Sequence, residues 1–303
     1  MNMNRKIIAS ISMSLALFVA APAFAQAPAN AAPAAPVNRP PDPRVQQRKY
    51  HFADTNEDLP YALFVSSKVT KAKKAPLIVA LHGVFGDGNS LLRGNTLDLA
   101  EEGGYIVVGP MGYNPEGWFG SPVIVMGRGG PGRGRGPGAG APGGPNAGGP
   151  VSGAGRASQT PDPPNLAELS EKDVMNVLAI VRNEFNVDDK RTYLMGHSMG
   201  GAGALFLGPK YVDQWAAVAS MAPAAFLMKP ESLAPVKDKM PLFLAHGDAD
   251  TVVPTDVGRR WAKEATELQM KDFKYLELPG ADHGTVITRS MPDIFKFFSE
   301  HTR

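Results

Sequence analysis

The chain of 303 residues contains no cysteine. That excludes disulfides as the source of its stability, a thiol as its nucleophile and a cysteine-anchored lipoprotein. Its folded part must rest on an apolar core, which a chain of this length can supply as one large domain. Long hydrophobic runs are scarce as well. One lies at the start, where Arg5 and Lys6 precede an apolar stretch from Ile7 to Ala20 and Ala23, Phe24 and Ala25 follow as a small-x-small cleavage pattern. That stretch is shorter than the roughly 20 apolar residues a spanning helix needs. Residues 1–25 therefore read as a secretory signal peptide with Gln26 as the new N-terminus. No later stretch is apolar enough to span a bilayer, so the expectation is a periplasmic or secreted protein with no stable membrane insertion.

Excess charge is also lacking. The formal net charge is +2, and both surplus charges sit in the first 25 residues. Residues 121–160 hold Arg128, Arg133, Arg135 and Arg156 and no acid, so a cationic stretch rides on a mildly acidic body. This is no footprint for nucleic acid across a whole domain. The glycine-rich part of that stretch, Gly127 to Arg156, has no aromatic side chain on which a base could stack. Residues 127–160 are expected to form a disordered insertion, and residues 26–44, dominated by alanine and proline, an extended tether.

What is present from residue 45 to 303 alternates strand with helix. Ala75–Leu81 (APLIVAL) and Tyr105–Val108 (YIVV) are continuous apolar runs of the kind buried on both faces of a parallel sheet. Further strands are expected at Thr192–Met195, Ala216–Ser220, Pro241–Ala245 and Phe273–Leu278, with an antiparallel entry hairpin from Arg48–Phe52 and Tyr61–Val69. Helices are expected at about Ser90–Glu102, from about Ser170, at Thr255–Gln269 and at Met291–His301, the last with Pro292 in its first turn. Ser170 and Asp173 have the spacing of a capping box, and Val174, Val177, Leu178, Val181 and Phe185 mark one apolar face. The predicted class is α/β, a mostly parallel twisted sheet with helices on both faces.

One junction carries chemistry. Lys190 to Leu207 reads KRTYLMGHSMGGAGALFL, in which a short apolar strand runs into a small-residue helix through Gly196, His197, Ser198, Met199 and Gly200. G-x-S-x-G at a strand-to-helix turn fits a nucleophile elbow, where the glycines clear space around a serine in a strained conformation. A serine hydroxyl needs a base within reach and an acid to orient it. Two downstream loops at the carboxyl ends of predicted strands offer both: HGDADTVVP with Asp248 and Asp250, and PGADHG with Asp282 and His283. Asp282 reads as a turn former beside the base. His82 lies on a different loop from His246 and Asp248, without metal-ligand spacing, and no metal or organic cofactor is expected.

LMGHSMGG, HGDADTVVP, GADHG and the early LHG together resemble the exported esterase branch of the α/β-hydrolases, which includes poly(hydroxyalkanoate) depolymerases and feruloyl or acetylxylan esterases. Dienelactone-hydrolase-like and prolyl-oligopeptidase-like catalytic domains are similar too. The resemblance runs from about Tyr61 to the C-terminus, the glycine-rich insertion excepted. It implies Ser198 as nucleophile, His283 as base and Asp250, rather than its competitor Asp248, as acid. The oxyanion donors it implies are the N–H groups of Met199 and Val84. Trp118 and Phe119, in a loop at the carboxyl edge of the sheet, are candidates either for the core or for a substrate pocket. The implied activity is hydrolysis of a small or polymeric carboxylic ester with a short or aromatic acyl group. A prolyl-oligopeptidase-like peptidase and a non-catalytic binding protein on the same fold are the alternatives.

Overall fold

The computed structural model describes residues 40–122 and 162–303. In chain order these form β1 (Gln46–Phe52), β2 (Glu57–Val65), β3 (Ala75–Leu81), α1 (Asn95–Gly103), β4 (Ile106–Pro110), α2 (Leu166–Glu184), β5 (Val187–His197), α3 (Met199–Lys210), β6 (Ala217–Met221), β7 (Leu242–Gly247), α4 (Thr255–Glu267), β8 (Phe273–Leu278) and α5 (Thr285–Glu300). The expected signal peptide, most of the tether and the insertion at 127–160 lie outside the described residues.

Eight strands form one sheet in the order β1-β2-β4-β3-β5-β6-β7-β8. β1 and β2 pair antiparallel and β2 joins β4 antiparallel, while the pairs from β4 onward to β8 are parallel. Parallel strands need crossovers, and helices supply them on both faces. β3 shows how the sequence divides the core. All seven of its residues are buried, with Leu77, Val79 and Leu81 facing one apolar cluster and Ile78 and Ala80 the other. Period-two alternation of apolar residues on both faces is what a doubly covered strand requires.

Several boundaries differ from the expectation for identifiable reasons. β2 starts at Glu57 because the hairpin closes with Phe52 opposite Glu57, and Asn56 takes the left-handed conformation at φ 54°, which asparagine tolerates. The last helix starts at Thr285 rather than near Met291, so Pro292 lies inside it. A mid-helix proline costs about 3 kcal/mol, and the buried Met291, Ile294, Phe295, Phe297 and Phe298 outweigh it.

α2 carries the most informative correction. It begins at Leu166, so Ser170 and Asp173 sit inside the helix and form no capping box. Both are fully buried and hold the loop after β4 instead. The Ser170 Oγ accepts the Phe119 N–H at 2.9 Å. The Asp173 carboxylate accepts the Gly112 N–H at 2.6 Å, the Tyr113 N–H at 3.2 Å and the Tyr50 hydroxyl at 2.7 Å. Burial pushes this carboxyl above the usual range, against the pull of those donors.

Candidate active site

Ser198 stands between β5 and α3 with φ 58° and ψ −116°. A non-glycine residue at positive φ is strained and must be over-determined by its surroundings. Its N–H donates to the Met221 carbonyl at 3.0 Å, and its own carbonyl accepts from Ala202 and Ala224, each at 3.0 Å. The flanking glycines are steric necessities. A Cβ on Gly196 would fall 1.9 Å from the Gly200 carbonyl oxygen, and one on Gly200 2.1 Å from that of Leu81.

The acid and base meet from two further strands. After β7, Asp250 turns its side chain wholly out of solvent: Oδ1 accepts the N–H groups of Val252 at 2.8 Å and Val253 at 2.9 Å. Oδ2 lies 2.7 Å from Nδ1 of His283, which follows β8. A carboxylate there keeps the proton on Nδ1 and leaves Nε2 to act as base. Asp248 does something else, accepting the Gly280 N–H at 2.6 Å and bracing the base-bearing loop. Asp282 is the turn former expected, its Oδ1 accepting from the N–H groups of Gly284 at 3.0 Å and Thr285 at 2.7 Å. Among the described residues no hydrogen bond joins Ser198 Oγ to His283. The Asp250–His283 contact is closed and the Ser198–His283 contact is open.

The remaining candidates sort by burial. As the first residue of α3, Met199 has no carbonyl one turn back to receive its N–H. Val84 is exposed and follows Gly83, where a Cβ would lie 3.4 Å from the Ser198 Cβ, so the chain here passes beside the serine. Phe119 is wholly buried, packed edge-on against the His82 ring with centroids 5.2 Å apart. It belongs to the core and lines no pocket, because the loop folds inward onto Ser170. Trp118 is half-buried against that core. His82 braces its loop, with Nε2 2.8 Å from the Met111 carbonyl oxygen. The Phe85 N–H donates to the Pro115 carbonyl at 3.0 Å and ties the same two loops again.

Two histidines take contacts that the sequence reading did not assign. His246 is buried, with Nε2 3.0 Å from the Val253 carbonyl oxygen and 3.4 Å from Asp250 Oδ2. His197 Nε2 lies 2.7 Å from the backbone carbonyl oxygen of His283. The pattern HGDAD at a strand end was a usable signal for the first; nothing in the sequence marked the second. Among the described residues, no group of three or more His, Asp and Glu is placed to hold a metal ion.

Burial lowers the pKa of His82, His197 and His246 and favours their neutral forms, and desolvation takes His197 from 6.5 to about 3. Unfolding frees these rings to take protons. Groups with depressed folded values contribute stability present above the unfolded value and lost as pH falls through the window down to the folded one. Between pH 6.5 and about 3, His197 alone is therefore expected to remove stability at about 1.4 kcal/mol per pH unit. Urea unfolding of wild type and His197→Phe at pH 7.5 and pH 5 checks this: the variant should lose less stability between the two.

A mostly parallel eight-stranded sheet with an antiparallel entry pair and a strained serine at its central strand-to-helix turn is the α/β-hydrolase fold. Within it, residues 151–277 match the esterase family model. Over 119 residues the chain is 34% identical to acyl-protein thioesterase 1 of Emericella nidulans, covering 36% of this chain and 49% of that protein. It thus spans about half the length of the curated relative it matches. Among solved structures, a thermostable esterase aligns with TM-score 0.58 at 21% identity, over 86% of this chain and 64% of the other. A ferulic acid esterase of Anaeromyces mucronatus aligns with TM-score 0.59 at 17% identity, over 85% and 90%. An S-formylglutathione hydrolase of Agrobacterium tumefaciens aligns with TM-score 0.57 at 14% identity, over 86% and 95%. At these identities the structural likeness is one of fold.

Proposed function

We propose that the protein is an exported serine esterase acting on short or aromatic acyl esters. The observation that carries this reading is the 2.7 Å bond between Asp250 Oδ2 and His283 Nδ1, made at the sheet edge where Ser198 is held at positive φ. Ser198 Oγ adds to the ester carbonyl carbon as its proton passes to His283 Nε2. The oxyanion so formed is received by the N–H groups of Met199 and Val84. Its collapse breaks the bond to the alcohol oxygen, which departs with the proton from His283 and leaves the acyl group on Ser198. Water then adds to the acyl-enzyme, giving its proton to His283. The second collapse frees the acid and returns the proton to Ser198.

The surface around Ser198 supports an apolar substrate. Among the described residues the exposed large apolar side chains are Val84, Phe85, Phe226, Leu227 and Val252. All stand on loops after β3, β6 and β7, at the carboxyl edge of the sheet. Exposed apolar side chains on these loops support a ligand-binding rim there. It suits an acetyl, butyryl or feruloyl ester on a soluble or polymeric partner better than a charged one. Hydrolysis of p-nitrophenyl esters should be most efficient at two to four acyl carbons and lower for palmitoyl, with feruloyl and acetylated sugar esters measured beside them; highest efficiency on palmitoyl would overturn the substrate assignment. The signal-like residues 1–25 support export to the periplasm or medium. N-terminal sequencing of the exported protein is expected to begin at Gln26.

A further inference from the structure

The base of this site comes from far away in the sheet. Ser198 follows β5 and His283 follows the edge strand β8, with β6 and β7 between them. At strand spacings of about 4.8 Å the two strand ends are roughly 14 Å apart, so the loop after β8 must be carried back across two neighbours and held there. Its first part is anchored on β7: the Asp248 N–H donates to the Leu278 carbonyl at 3.2 Å, the Ala249 N–H to the Ala281 carbonyl at 3.1 Å, and Asp248 Oδ1 accepts from Gly280. Those bonds end two residues short of the base.

We infer that His197, the residue immediately before the nucleophile, positions the base by gripping its backbone. His197 Nε2 lies 2.7 Å from the His283 carbonyl oxygen. A carbonyl only accepts, so the Nε2 proton is donated and the ring's tautomer is thereby settled. The two imidazoles also pack with centroids 4.5 Å apart and planes inclined by 49°. His197 is buried, with Gly83 beside its ring. The groups facing it are His283 and, further off, Asp250 and His246; burial keeps it neutral among them. One covalent step thus separates the nucleophile from the group that fixes its base. The bond sets the Ser198-to-His283 separation directly, without passing through the acid.

This role rests on the esterase reading, and the test separates the two. Wild type is assayed first for p-nitrophenyl acetate hydrolysis and for labelling by a fluorophosphonate probe; failure of both would remove the esterase reading itself. With wild type active, His197→Gln keeps an N–H donor near the Nε2 position, whereas His197→Phe keeps the buried ring volume and has no donor. His197→Phe is expected to lower kcat by about 10- to 100-fold, the range a displaced catalytic group shows, with KM changed less than threefold. His197→Gln should recover most of kcat, and circular dichroism should show both variants folded. Wild-type kcat in His197→Phe, or a His197→Gln variant no faster than His197→Phe, would overturn the inference. A fall in both variants confined to KM would overturn it too, since that would make His197 a substrate contact.

Discussion

Ser198→Ala is expected to lower kcat for p-nitrophenyl acetate by roughly a millionfold, to the residual rate that binding and oxyanion stabilisation alone support. The magnitude follows from the chemistry. Without Oγ there is no acyl-enzyme, and the closed Asp250–His283 pair has no proton to accept from the protein. The fold should be untouched. Ser198 is held through its backbone N–H and carbonyl, and its hydroxyl donates no hydrogen bond among the described residues. Alanine at positive φ is already present at Ala222, with φ 41°. The far-UV circular dichroism spectrum of the variant should superimpose on that of wild type. Undiminished activity would show that the nucleophile lies elsewhere.

Asp250→Asn should cost about 10⁴-fold in kcat, and Asp248→Asn far less. The two residues stand two positions apart on a single loop, yet their partners differ. An amide nitrogen facing His283 Nδ1 at 2.7 Å would donate to it, so the ring proton would move to Nε2 and the base would be lost. At Asp248 the acceptor is needed for the Gly280 N–H, and an asparagine oxygen still serves. The loss there is one charge-assisted bond turned neutral, a several-fold effect on the positioning of the base. Steady-state rates for the two variants decide the matter, and a greater loss for Asp248→Asn would transfer the acid's role.

Much of this was legible without coordinates because it depends on local rules. The elbow glycines are demanded by backbone approaches so close that an added Cβ would fall about 2 Å from a carbonyl oxygen, so G-H-S-M-G announces itself. β3 was readable to the residue, since an apolar run between polar turns has few other fates, and β8 likewise from its β-forming residues between turns. His283 could be picked by order and by loop position, which left Asp248 and Asp250 both open as its acid; the family resemblance favoured Asp250, and the 2.7 Å contact agrees with it. Ser170 and Asp173 misled for the same local reason. Their spacing is that of a cap, but the helix started a turn earlier, and their side chains were spent on a loop from another part of the chain.

The sequence by itself determined the period of each element, the strained serine and the chain order of serine, acid and base, because those follow from neighbours a few residues apart. Only the tertiary structure decided which of two polar loop residues meets the base, that Phe119 turns inward rather than toward substrate, and that His197 grasps the backbone of His283. Each of those depends on a contact spanning tens of residues, 86 in the case of His197 and His283. Such contacts are set by the order in which strands lie in the sheet, and the order of strands along the chain does not carry that information.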